Sequence, residues 1–128
     1  MKVFTVEEAN DLLAIVRPKL ELIRAFYTES QTLRESAKAA AQASGYGGGM
    51  EGGSIYVNAL YEIGKLTTEI NELGVQIKDF SRGLIDFPCE RGGEIVLLCW
   101  QFGEGDEIKW WHEVDAGFAG RKTLDFEF

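Results

Sequence analysis

At 128 residues the chain has the length of one compact domain. Its 45% hydrophobic and 27% charged composition is that of a folded globular protein rather than a disordered one. Thirteen basic against 21 acidic residues leave a net charge of −8, which argues against a nucleic-acid binder, with its basic face, and against a polybasic membrane-docking segment.

The longest apolar run, Ile95-Val96-Leu97-Leu98-Cys99-Trp100, falls far short of the roughly 20 residues that span a bilayer. The first residues turn acidic by Glu7 without the apolar stretch of a signal peptide, so a cytoplasmic location is expected. Cys89 and Cys99 flank a Gly92-Gly93 turn. A hairpin closed there sets Cys89 opposite a residue near Val96 and Cys99 opposite one near Asp86. The thiols are then too far apart along the ladder for a disulfide, and both are expected free.

Thr5-Val6-Glu7-Glu8 has the capping-box pattern that opens a helix. Ala9, Leu13, Val16, Leu20, Ile23 and Tyr27 then recur at spacings of four and three, a helical seam that keeps its phase across Pro18. A kink is expected there, since proline removes one backbone bond. The Ala-rich stretch Ser36 to Ser44 carries the helix onward. Residues 45–53 contain six glycines and read as a loop.

A second seam follows, Tyr56, Ala59, Ile63, Leu66, Ile70, Leu73, Ile77 and Phe80, in the manner of a coiled coil. It predicts a helix over 54–81, closed by Gly83 as C-cap. The two helices form an antiparallel hairpin over 1–82. The first also carries a second apolar row, Leu12, Ile15, Leu22, Phe26 and Leu33. That row must pack on the C-terminal part or on another copy of the chain.

From Leu84 the period becomes two. Leu84 to Phe87 reads as a strand ended by Pro88, Ile95 to Phe102 as a strand covered on both faces, Ile108 to Val114 as a third, and Leu124 to Phe128 as an edge strand. The expected fold is α+β, one domain over 1–128: a long antiparallel helical hairpin followed by a small antiparallel sheet over 83–128.

Gly47-Gly48-Gly49-Met50-Glu51-Gly52 fits G-x-G-x-x-G, but a helix and not a strand precedes it, and Gly53-Ser54 stands where a P-loop needs Lys-Ser/Thr. It reads as a connector. His112 is the one histidine. Hairpin register sets Cys99 opposite Trp110 and Leu97 opposite His112, so Asp86, Cys99 and His112 share a face, whereas Trp111 and Glu113 point away. The three converge as a nucleophile–base site, as part of a metal shell, or as a buried histidine bonded to backbone and Asp86. With one histidine and two unclustered cysteines, no metal site and no cofactor is assigned.

Asp115-Ala116-Gly117-Phe118-Ala119-Gly120-Arg121 has the make-up of an anion-binding loop, with backbone amides at Gly117 and Gly120 and charge from Arg121. The plainer alternative has Asp115 capping the turn, both glycines at positive φ, Phe118 plugging the core and Arg121 paired with a carboxylate. Trp100, Trp110 and Trp111 read as sheet core.

Gly83-Leu-Ile-Asp-Phe-Pro88, Leu98-Cys-Trp100, Trp111-His-Glu113, the Asp115–Arg121 segment and the opening Phe4-Thr-Val-Glu-Glu-Ala9 resemble the bacterial family catalogued as domain of unknown function 2203. The likeness spans nearly the whole chain, with departures at Gln101, where a basic residue is expected, and at Thr123, where a proline is. It implies no activity.

Three readings follow. The first is a non-enzymatic scaffold that self-associates through the hairpin as a homodimer or higher homo-oligomer, without nucleic acid or membrane. The second is a small-ligand, anion-binding or catalytic site drawn from Asp86, Cys99, Trp111, His112, Glu113, Asp115, Gly117, Gly120 and Arg121. The third is a metal-binding module.

Overall fold

A computed structural model describes residues 1–44, 53–125 and 128, with the side chains of 37 and 40–44 left out. The glycine-rich connector and its G-x-G-x-x-G match lie outside the described residues, apart from Gly53. The architecture is α+β: α1 (Val6–Ser44), α2 (Gly53–Glu72), then β1 (Gln76–Asp79), β2 (Leu84–Arg91), β3 (Glu94–Gln101), β4 (Trp110–Glu113), a 3-10 turn (Phe118–Gly120) and β5 (Lys122–Thr123). The five strands form one antiparallel sheet in sequence order.

Both bonds of the capping box are made at the start of α1. The Thr5 amide donates to Glu8 Oε1 at 2.9 Å, and the Glu8 amide donates to Thr5 Oγ1 at 3.1 Å. These bonds from Thr5 hold the Glu8 carboxyl below its ordinary range. α1 runs through Pro18 without a break. α2 returns along it, with Lys19 and Glu69 paired at 3.0 Å.

The second helix ends nine residues before the seam predicts. Gly74 takes a φ of 93°, its amide bonds to the Asn71 carbonyl at 2.9 Å, and the Val75 amide bonds to that of Ile70 at 3.3 Å. Those are the two bonds of a Schellman cap, with Ile70 and Val75 both buried beside it. Ile77 and Phe80 keep the helical beat by coincidence. Ile77 lies in β1, and Phe80 lies in the turn after it, against Tyr27. Gly83, at a φ of 61°, closes the β1–β2 turn rather than a helix.

β2 runs on through Pro88 instead of stopping there. β1 pairs only as far as Asp86, so on that side no ladder bond is asked of Pro88, and its carbonyl accepts from the Phe4 amide at 2.7 Å. β4 is shorter than expected. Among the described residues the last strand is Lys122–Thr123; Leu124 and Asp125 are not strand, and 126–127 lie outside the described residues.

One face of the sheet supplies Ile85, Phe87, Cys89, Val96, Leu98, Trp100 and Trp111 to a core shared with Ala9, Leu13, Val16, Leu20 and Ile23 of α1 and with Leu66 and Ile70 of α2. The other face carries Leu84, Asp86, Pro88, Leu97, Cys99 and His112, and these are buried as well. The second row of α1 is covered only in part: Leu12 and Phe26 are half-buried against the core and Leu33 is half-buried, while Ile15 is 56% and Leu22 49% exposed.

Candidate functional site

Strand register builds the outer-face cluster. Asp86 of β2 pairs with Cys99 of β3, which pairs with Trp110 of β4, and Leu97 pairs with His112. Period two then turns Asp86, Cys99 and His112 to the same side, under the loop that follows β4. One ligating atom of each lies within 4.8 Å of those of the other two, and among the described residues no other group of His, Cys and carboxylates meets that test.

His112 is held at both ring nitrogens. Nδ1 lies 2.7 Å from the Glu113 carbonyl, which only accepts, so Nδ1 carries the hydrogen and donates. Nε2 then faces both oxygens of Asp86 at 3.2 Å. That contact is favourable only with a positive centre, a proton or a cation, between the ring and the carboxylate.

Cys99 cannot act as a ready nucleophile. Burial first, then the charge of Asp86 and the hydrogen bond to it, push its thiol up to about 12 against the opposing pull of Arg121. At neutral pH the sulfur therefore stays protonated, and it is the thiolate that attacks. Cys89 is likewise free and buried, and burial, then the charge of Glu90, raises it too.

Arg121 is occupied. Its guanidinium forms a two-pronged pair with Glu104, both bonds 2.9 Å. It lies over the Trp110 and Phe118 rings at 4.7 and 4.1 Å, and Nη1 is 3.9 Å from Cys99 Sγ. An anion bound in the loop would have to compete with Glu104 for this cation.

The loop itself differs from expectation. Gly117 does adopt positive φ, at 67°, but Gly120 does not. Gly120 is needed for space, since a Cβ there would sit 2.7 Å from that of Ala116. Phe118 is no core plug; it is half-buried between the guanidiniums of Arg82 and Arg121, each 4.1 Å from its ring. Asp115 is exposed in the turn. Trp111 packs into the helical side of the sheet, and Glu113 is an exposed partner of Lys122 at 3.1 Å. Both side chains point away from the Asp86 cluster, although the Glu113 carbonyl holds His112.

A cavity of about 170 Å³ adjoins the cluster, bounded by Lys78, Leu84, Asp86, Leu97, His112, Val114, Gly117 and Phe118. Sequence reasoning missed Lys78 and Glu104. Leu84 and Leu97 were legible from the two-residue period that selected Asp86 and Cys99. Lys78 was hidden because its segment reads as helix, and Glu104 because it lies in a turn, where no period applies.

Among the described residues no helix is long and apolar enough to cross a membrane. No curated protein and no solved structure matches the chain. The model of a family described as "Uncharacterized conserved protein (DUF2203)" matches residues 2–124, and with nearly its whole length covered, the chain belongs to that family.

Proposed function

We propose that this chain is a cytoplasmic, non-enzymatic interaction protein that self-associates along the outer flank of α1. The observation that carries this reading is the exposure of Ile15 and Leu22 in a row with Leu12, Phe26 and Leu33. The row extends about 32 Å along one helix at 1.5 Å per residue. Isolated surface leucines need no explanation, but an aligned apolar strip beside a completed core does. A second copy laid on it two-fold covers both strips with one set of contacts.

The neighbouring chemistry favours this over catalysis. Cys99 is held protonated and Arg121 is neutralised by Glu104, so neither of these two residues offers a ready nucleophile or an unpaired cation. A strip one helix wide covers on the order of 300 Å², less than the roughly 800 Å² per partner of a standard interface. The association is therefore concentration-dependent, and with −8 on each copy it tightens as salt screens their repulsion.

Sedimentation velocity between about 5 and 300 µM tests it, a range that brackets micromolar association. The expected result is a monomer–dimer shift that strengthens with added salt and is lost in Ile15→Glu/Leu22→Glu. A monomer throughout, or a dimer indifferent to that double substitution, overturns the reading.

A further inference from the structure

We propose that Asp86, Cys99 and His112 bind one zinc-class divalent metal ion per chain, through a carboxylate oxygen, Sγ and Nε2, with a water from the adjoining cavity as fourth ligand. This proposal is independent of self-association. It also goes further than ligand spacing along the sequence allows, because the three residues come from three different strands.

The imidazole is oriented as a ligand. Its Nδ1–H is engaged by the Glu113 carbonyl at 2.7 Å, which fixes the tautomer and leaves the Nε2 lone pair directed into the cluster. An anchoring carbonyl behind the distal nitrogen is the usual support of a metal-bound histidine.

The spacing is right for a shared ion. Ligand atoms on one tetrahedral zinc, with bonds of about 2.0–2.3 Å, lie roughly 3.3–3.7 Å apart. Nε2 is 3.2 Å from either oxygen of Asp86, and the whole set falls within 4.8 Å, so only the sulfur has to draw in. The three residues are 2%, 0% and 3% exposed, on strands whose register holds their backbones in place. The nitrogen, oxygen and sulfur donors together suit zinc better than calcium or magnesium, which take oxygen alone.

Charge balances as well. The ion enters as M²⁺, and the Cys99 thiol proton, with any proton held between Asp86 and His112, leaves to solvent. The thiolate and the Asp86 carboxylate then offset the ion, so the occupied cluster has no net charge. Arg121, with Nη1 3.9 Å from Sγ, is placed to support the thiolate that coordination creates. The cavity of about 170 Å³ touches Asp86 and His112, which leaves room for a water at the open position.

The test is a Co²⁺ titration of the full-length, tag-free protein followed by absorption. The expected result is saturation at one equivalent, with a thiolate-to-cobalt charge-transfer band, the visible bands of a tetrahedral site, and stoichiometric displacement by Zn²⁺. Cys99→Ser abolishes the charge-transfer band, whereas Cys89→Ser, altered on the opposite face, retains it. Asp86→Asn and His112→Ala each weaken Co²⁺ binding at least tenfold, since removal of even an outer-shell partner costs about 10–100-fold. Circular dichroism checks that the variants fold, and if they do not, the wild-type spectrum decides alone. Absence of the band at saturating Co²⁺, or a band that survives Cys99→Ser, overturns the proposal.

Discussion

Arg121 and Glu104 meet through two parallel bonds, Nη1 to Oε1 and Nη2 to Oε2, each 2.9 Å, tying the loop after β4 to the turn after β3. Glu104 Oε1 also accepts the Gln101 amide at 2.7 Å, and the pair is largely shielded, at 12% and 20% side-chain exposure. Arg121→Ala removes both charged bonds and the ring contacts with Trp110 and Phe118, and leaves Glu104 half-satisfied. The expected loss is about 2–3 kcal/mol. Arg121→Lys recovers less than half, because an ammonium cannot reproduce the planar fork. Urea denaturation midpoints measure both, and a lysine variant as stable as wild type would contradict the geometry.

Two glycines of the α2 segment respond to alanine with opposite sign. Gly64 lies within the helix with open space around its missing Cβ, so Gly64→Ala stabilises by about 0.5–1 kcal/mol through helix propensity and a less flexible unfolded chain. Gly74 sits at a φ of 93°, and a Cβ there would meet Lys2 Cβ at 2.9 Å and Phe4 Cζ at 3.2 Å. Gly74→Ala destabilises by about 1–3 kcal/mol. Thermal unfolding of the two single variants checks this; shifts of the same sign would mean that α2 does not end at Glu72.

Much of this was legible in the sequence, for identifiable reasons. The Gly92-Gly93 turn sets one register, and from it the pairing of Asp86 with Cys99 follows and Cys89 is placed close to its partner Val96. A second hairpin count put His112 opposite Leu97 correctly. The end of α2 was missed because Gly74 reads as a costly guest in a continuing seam, when its φ makes it the terminator. The strand that replaced the helix took the expected C-cap glycine into its own turn. Pairing of Arg121 with a carboxylate was an open alternative, but Glu104 as the partner was not foreseeable, because turn residues have no periodicity to reveal where they point. Phe118 was misplaced for a related reason: hydrophobicity suggests burial, but two guanidiniums offer its ring faces another partner.

Both thiols should be inert in the native, metal-free protein. Cys99, held up to about 12, presents at pH 8 about a thousandfold less thiolate than a cysteine of ordinary acidity, and both sulfurs are buried. A disulfide reagent added to native protein with chelator present is expected to react at the rate of unfolding. Two equivalents are expected to react at once in denaturant. Rapid native labelling of Cys99 would show that the outer face of the sheet opens and would return the nucleophile reading to contention.

The same burial sets an alkaline limit on stability. The folded state raises Cys99 from the ordinary thiol value of 9.0 to about 12, so between those values the unfolded chain loses its proton while the folded one retains it. Folding then holds more protons than unfolding, and stability must fall as pH rises. The Cys99 contribution is intact below about pH 9 and is lost progressively toward pH 12, with a slope approaching about 1.4 kcal/mol per pH unit. Lysines and tyrosines titrate in the same window, so the diagnostic quantity is a difference. Cys99→Ser keeps a hydroxyl that can donate to Asp86 but does not ionise, and its stability should decline less steeply than that of wild type. Urea unfolding of both proteins in chelator at pH 8, 9.5 and 10.5 gives the two slopes. Parallel slopes would mean that Cys99 ionises alike in both states, which its burial beside the Asp86 carboxylate does not permit.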